Sequence, residues 1–218
     1  MLELLFIRHG RTEYNVNRKV MGRKPIPLDD VGRAQSKELA VRLSGEKIDA
    51  IISSPVFRAI QTAEVIAAFH EDLKVEQDEG LIEIDYGQWE DLTFDDLVAK
   101  HESEWRTYRE DPKRTSFPGG ESMKEAGRRV GEFMDKILKR FDTGRVALIS
   151  HADVIKLAFL HVLDMELKYL VRFSIDNCAI CLVRITKDTG PRLVILSSLD
   201  GIGKDMISID STCHRERP

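Results

Sequence analysis

The chain has 218 residues, with 33 Lys+Arg against 37 Asp+Glu and a net charge of −4. That length suits one globular domain with a full hydrophobic core, and the charge balance argues against a general nucleic-acid binder, so any basic patch is local. No apolar run reaches the roughly 18 residues of a membrane span, and no charged segment precedes a long apolar one at the N-terminus; the sequence reads as a cytoplasmic protein with neither membrane nor nucleic acid as a partner.

In chain order, the apolar run Leu4 to Ile7 ends abruptly in Arg8-His9-Gly10. Such a run reads as a buried parallel strand that delivers polar side chains to the carboxyl edge of a sheet, where open α/β sheets bind ligands. A loop from Asn17 to Pro27 carries Arg18, Lys19, Arg23 and Lys24, read as a solvated face or as a steering patch for an anion. Asp29 or Asp30 caps a helix to about Leu43, stopped at Gly45. A strand over Asp49 to Ser53 follows, then Ser54 at an N-cap position and Pro55 at the first helical position, so a helix is expected from there to about Phe69. Arg58 then falls in its first turn, at the same sheet edge as His9.

A short strand near Leu73 to Glu76 leads into an acidic loop, Leu81 to Glu90, with Trp89 as packing or as a substrate wall. Thr93 and Asp96 make a capping-box-like start for a helix to about Lys100, and a second helical piece spans Glu102 to Arg109. After a loop punctuated by Pro118-Gly119-Gly120, a helix from about Glu121 to Phe141 shows Val130, Phe133, Met134, Ile137 and Leu138 at the spacing of one buried face. The strand Val146 to Ser150 also ends in a histidine, His151, and a helix from about Asp153 to Leu163 follows at once. A short helix near Leu167 to Phe173 precedes a hairpin pairing Cys178 to Ile185 with Leu193 to Ser197, and residues 200–218 read as a polar tail. Cys178, Cys181 and Cys213 are too few and too late for a disulfide framework. The Cys178-x-x-Cys181 pair lies in a strand-like run where residues three apart face opposite ways, so two half-buried thiols are expected rather than a redox or zinc pair.

Alternating strands and helices imply a single α/β domain over 1–218, a doubly wound, mostly parallel sheet with helices on both faces. In a parallel sheet Arg8, His9, Arg58 and His151 then meet along one edge. The helix start after His151, beginning at Ala152, adds free backbone N–H groups and a positive dipole end. Such a pocket suits a phosphate.

Arg8-His9-Gly10-x-Thr12-x-x-Asn15, Ser53-Ser54-Pro55-x-x-Arg58-Ala59-x-Gln61-Thr62-Ala63, Glu83 followed by Gly87-x-Trp89-Glu90, Phe117-Pro118-Gly119-Gly120-Glu121-Ser122 and Ser150-His151 occur in that order. Together they resemble the histidine phosphatase superfamily, the phosphoglycerate-mutase-like proteins, over residues 2 to about 200. The resemblance implies that His9 is the nucleophile forming a phosphohistidine, that Arg8, Arg58 and His151 bind the phosphoryl oxygens, and that Thr12, Asn15 and the Ala152 N–H are further substrate contacts. It assigns Glu83 as general acid, with Glu79, Asp85 and Glu90 as rivals in the same loop. It implies no metal and no organic cofactor, a small-molecule phosphate ester as substrate, and a homodimer as the common oligomer. The stretches after Glu83 and around Phe117 look more like the small-molecule phosphatases than the mutases, so metal-independent hydrolysis of a phosphate monoester is the expected activity. The alternatives are a phosphoglycerate-mutase-type phosphomutase, a metallohydrolase using His9, His151 and Asp153, and a catalytically idle phospholigand-binding protein. Arg11 and Asp153 depart from the family pattern: Arg11 adds positive charge or points outward, and Asp153 caps its helix or repels the substrate.

Overall fold

The structure, a computed structural model, describes residues 1–196. Cys213, Ser197 and the expected polar tail over 200–218 lie outside the described residues.

Six strands form one sheet in the order β3-β2-β4-β1-β5-β6. They are β1 (Leu2–Arg8), β2 (Ala50–Ser53), β3 (Val75–Gln77), β4 (Gly144–Ser150), β5 (Ile180–Thr186) and β6 (Gly190–Leu196). The first four run parallel, while β5 lies antiparallel to β1 and β6 antiparallel to β5. The mostly parallel sheet expected from the alternating pattern is therefore present, with an antiparallel hairpin at one side.

Side chains of β1 alternate between two cores. Leu4 and Phe6 pack with α6 (Met123–Arg140) and α7 (Ala152–Val162), whereas Leu5 and Ile7 pack with α2 (Asp30–Leu43) and α3 (Phe57–Ala67). Helices thus cover both faces, as a strand buried on both sides requires. Cys181 belongs to the first core and Cys178 to the second; both thiols are fully buried rather than half-buried.

Capping explains most helix starts. Asp29 accepts from the Gly32 N–H at the start of α2, and Ser122 forms a reciprocal capping box with Glu125 at the start of α6. Thr93 and Asp96 do the same for α4 (Phe94–Lys100), which is followed by α5 (Glu102–Glu110). A short helix that the sequence pattern does not signal, α1 (Glu13–Val16), is capped by Thr12 with Asn15 as its reciprocal partner.

The start of α3 differs from expectation. Its first residue is Phe57, and its N-cap, Val56, makes no side-chain cap. Ser54 does not cap the helix because its Oγ lies 2.8 Å from His151 Nε2 and accepts from the Val56 N–H at 3.2 Å. The hydroxyl serves the site instead.

Candidate active site

The register of β1 on β4 builds the centre of the site. Arg8 pairs with Ser150, and the His9 N–H donates to the Ser150 carbonyl at 3.0 Å, so the next residue on each strand is a histidine at the same level. The His9 and His151 rings lie 5.2 Å apart. From the next strand over, the chain leaves β2 through Ser54, whose N–H donates to the Ile149 carbonyl at 2.8 Å, and enters α3 with Arg58 in its first turn.

Arg58 is fully buried and ties the two histidines together. Its Nε donates to His9 Nε2 at 3.1 Å, and its Nη2 donates to His151 Nδ1 at 3.0 Å and to the Gly22 carbonyl at 2.9 Å. Nη1 donates to the Lys24 carbonyl at 3.2 Å. These bonds assign the tautomers. His9 Nδ1 carries its proton toward the Gly10 carbonyl at 2.7 Å, leaving the lone pair on Nε2. His151 accepts at Nδ1, so its Nε2 proton points to Ser54 Oγ.

Electrostatics agree with neutral rings. Burial, reinforced by the Arg58 and Arg8 cations, holds His9 well below the usual histidine value. Burial and the Arg58 cation do the same to His151. Arg58 itself is pulled down by burial to about 10, against the favourable pull of Glu83. Arg8 donates through Nη1 to the Ile175 carbonyl at 2.6 Å, while its Nε is buried without a hydrogen-bond partner among the described residues. A buried cationic donor left unpaired is costly, and an anion in the adjoining cavity would relieve that cost.

Glu83 stands beside this cluster, with Oε2 at 3.7 Å from Arg58 Nη2 and 3.6 Å from His151 Nδ1, while Oε1 accepts from the Ile84 N–H at 2.9 Å. Burial drives its carboxyl up to about 7 in spite of Arg58, with the charge of Asp153 adding to the rise. Of the rival carboxylates, Asp85 accepts from the Gly87 N–H, and Glu79 and Glu90 do not line the cavity.

The loop carrying Glu83 is gripped from outside. Arg129 donates to the Gly80 and Ile82 carbonyls at 3.0 and 2.9 Å, Arg23 donates to the Glu83 carbonyl at 2.9 Å, and both arginines meet Glu121 Oε1. Sequence reasoning did not single out this bracket, and its residues have no local signature beyond the Glu121 that follows the two glycines.

A cavity of about 510 Å³ opens over these groups, lined among others by Arg8, His9, Asn15, Glu83 and Ala152. Arg58 and His151, both fully buried beside His9, are not part of the lining. Thr12, expected as a substrate contact, is buried, caps α1 and bonds Asn15 and Met21. Asn15 Oδ1 is occupied by Thr12 and by Asn177 Nδ2 at 3.3 Å, so its amide N–H groups are what it retains for a ligand. Asn177 also donates to the His9 carbonyl at 3.0 Å, a contact that no sequence pattern signalled. Trp89 is nearly fully buried, packed on Phe117, Tyr108 and Trp105, and also borders the cavity.

Both departures from the family pattern have structural explanations. Arg11 points to Asp29, with an Nε–Oδ2 distance of 2.8 Å, rather than into the cavity. Asp153 sits in the first turn of α7 and accepts from Tyr108 OH at 2.8 Å, Tyr86 OH at 3.0 Å and Lys156 Nζ at 2.9 Å. Burial raises its carboxyl, but Lys156 and the two phenols outweigh that and hold it below the usual range. Asp153 is thereby neutralised locally, and the described residues contain no histidine, cysteine and carboxylate group arranged to hold a metal ion.

Residues 4–197 match the model of the histidine phosphatase superfamily, branch 1. Phosphoserine phosphatase 1 of Hydrogenobacter thermophilus is 30% identical over 185 residues, covering 85% of this chain and 87% of the relative. A probable phosphoglycerate mutase GpmB of Yersinia enterocolitica is 31% identical over 215 residues, covering 96% and 98%. Some mycobacterial relatives are longer, and the chain spans 50% of their length. Among solved structures, a mutant phosphoserine phosphatase from Entamoeba histolytica in complex with phosphoserine superposes with a TM-score of 0.79 at 29% identity, over 91% of this chain and 98% of that one.

Proposed function

The chain belongs to the histidine phosphatase superfamily, and from that membership we propose that it hydrolyses a small-molecule phosphate monoester, without a metal, through a phosphohistidine at His9. The observation that carries this reading is the state of the His9 ring: its Nδ1 proton is committed to Gly10, and the lone pair on Nε2 faces the Arg58 guanidinium at 3.1 Å. The nitrogen that would attack phosphorus is thus unprotonated and already beside a cation for the phosphoryl oxygens.

In the first step Nε2 of His9 bonds to phosphorus as the bond to the alcohol oxygen breaks. Glu83, near 7 and half protonated at neutral pH, gives its proton to that oxygen. In the second step the Glu83 carboxylate takes a proton from water, whose oxygen attacks phosphorus and releases His9 and inorganic phosphate. Arg8 and Arg58 stabilise the developing charge, and His151 joins them as a donor once the bound anion favours a proton on its Nδ1; one preorganised donor of this kind is worth about 10²- to 10³-fold in rate. Asn15 and the N–H groups at the start of α7 supply further contacts.

The test is phosphate release from a panel of monoesters in excess chelator, with His9→Ala alongside. Release that survives chelator and vanishes in the variant supports the reading; release that needs a metal overturns it. A second reading, phosphomutase activity, draws on the 31% identity with the probable mutase across nearly the whole chain. It differs only in what attacks the phosphohistidine, a second hydroxyl in place of water, and predicts phosphate transfer between positions of a phosphoglycerate without net release.

A further inference from the structure

The cavity is larger than a phosphate needs: about 510 Å³ lies within the range of roughly 300–1,000 Å³ typical of sites for whole small molecules. Its outer part therefore reports on the alcohol half of the substrate.

That outer part is built from two chain segments stitched by backbone bonds. The Val20 N–H donates to the Leu92 carbonyl at 2.9 Å and the Asp91 N–H to the Val20 carbonyl at 3.0 Å, joining the loop after α1 to the start of α4. Phe94, Leu97 and Trp105 make an apolar wall. Opposite in character are Arg18, Lys19 and Lys156, which line the same cavity. Neighbours in an extended chain face opposite ways, but Arg18 adopts φ 53°, in the left-handed region, and both it and Lys19 reach the lining.

Two of these cations, Arg18 and Lys19, are not spent on carboxylates. Among the described residues Arg18 lies over the Phe94 ring at 5.7 Å and Lys19 over the Tyr14 ring at 5.7 Å, with no ion pair to either. By contrast, Arg23 and Lys24 of the same loop are paired with Glu121 and Asp91. Lys156 uses one of its three donors on Asp153 Oδ1 and keeps the others. Asp153 is saturated by Lys156 and the two tyrosines, and among the described residues the only other carboxylate in the lining is Glu83. In a chain of net charge −4, a cavity that holds, among the described residues, four cationic side chains against two carboxylates is a local reversal.

We propose that Arg18, Lys19 and Lys156 form a second anion subsite, and that the substrate is a phosphate monoester whose alcohol joins an apolar or aromatic body to a second anionic group. This rests on the phosphatase reading above and adds the substrate class to it. Phosphate occupies the inner end at Arg8 and His9, the apolar body lies against Phe94, Leu97 and Trp105, and the second anion meets the cations at the mouth.

The test compares 4-carboxyphenyl phosphate with 4-carbamoylphenyl phosphate, alike in shape and differing in the charge of the distal group. The carbamoyl ester has the better leaving group, so intrinsic reactivity favours it. The expected wild-type ratio of kcat/KM is nevertheless about tenfold in favour of the carboxylate, the scale of one charge-assisted contact. It falls toward one in Lys156→Gln and in the double variant Arg18→Gln with Lys19→Gln, and also at high salt. The loop pair keeps the test decisive if removing Lys156 unseats Asp153. A wild-type ratio at or below one, or a ratio unchanged in both variants, overturns the subsite. Binding of the two matching phosphonates, which cannot be hydrolysed, is measured by calorimetry in parallel. If neither ester is turned over, the phosphatase reading is decided by the wider panel of monoesters, while the subsite stands if the carboxylated phosphonate binds about tenfold tighter and falls if affinities are equal.

Discussion

His9 and His151 leave adjacent parallel strands at the same level, and the Arg58 guanidinium bonds to both rings, at 3.1 Å to one and 3.0 Å to the other. One planar cation thus sets the tautomer and spacing of both histidines. A lysine carries its charge on a single nitrogen and cannot reproduce the two-point contact that the guanidinium makes through Nε and Nη2. Arg58→Lys is expected to lower kcat/KM by about 10²-fold or more and Arg58→Ala by a further factor, within the range for loss of one charge-stabilising donor. Steady-state kinetics on any turned-over ester check this; a loss below threefold in Arg58→Lys contradicts it.

Glu83 has to be protonated to give up a proton, and burial places its carboxyl at about 7. The rate of the first chemical step should therefore fall as pH rises through about 7. On the acid side, His9 is held well below its usual value, so no loss is expected just below pH 6.5. Pre-steady-state rates across pH 5 to 9 test both limbs.

The same carboxyl gives a stability prediction. Its folded value exceeds the ordinary 4.5, so folding favours the protonated form: that stabilisation is full below about 4.5 and is lost as pH rises through about 7. Glu83→Gln should be near neutral for stability at pH 5 and stabilising at pH 8, on the order of 1–3 kcal/mol. Denaturant unfolding at the two pH values reads the difference.

Arg129 touches no cavity atom but holds the Gly80 and Ile82 carbonyls and Glu121. Arg129→Ala should lower kcat with little change in KM, because the Glu83 loop loses its grip while the proposed phosphate site keeps its cations. Leaving those carbonyls unpaired should also cost about 1–3 kcal/mol of stability.

Ser54→Ala removes the acceptor for His151 Nε2–H in a fully buried setting. A loss of about 1–3 kcal/mol in unfolding free energy is expected, together with a lower kcat as His151 gains freedom to turn. Ser54→Thr, which keeps the hydroxyl, should recover part of both.

The architecture and the residues at the sheet edge were legible in the sequence for a simple reason. Strands β1 and β4 each contain an unbroken apolar run, over 4–7 and 146–149, that ends sharply just before Arg8-His9 and Ser150-His151, and parallel pairing then brings their ends together without further information. The amphipathic face of α6 and the Thr93–Asp96 start of α4 were equally local signals. Ser54 misled because an N-cap signature and a hydrogen bond to a distant histidine use the same hydroxyl, and only tertiary structure decides between them. The Arg23, Glu121 and Arg129 bracket and the Asp153, Tyr86, Tyr108 and Lys156 cluster were not legible. Their contacting members are up to 98 residues apart and make contacts that depend on how loops cross, not on any period. Arg18 and Lys19 read as a solvated face or a steering patch, and their place in the cavity depends on a left-handed residue with no glycine to announce it.

The most direct test of the phosphohistidine is to quench the enzyme with alkali during turnover of a phosphate ester and locate phosphate by mass spectrometry. Phosphate on Nε2 of His9, absent in His9→Ala and lengthened in lifetime in Glu83→Gln when the ester has a good leaving group, is the predicted result. Steady turnover with no phosphorylated histidine at any time point, and with His9→Ala still active, would contradict it.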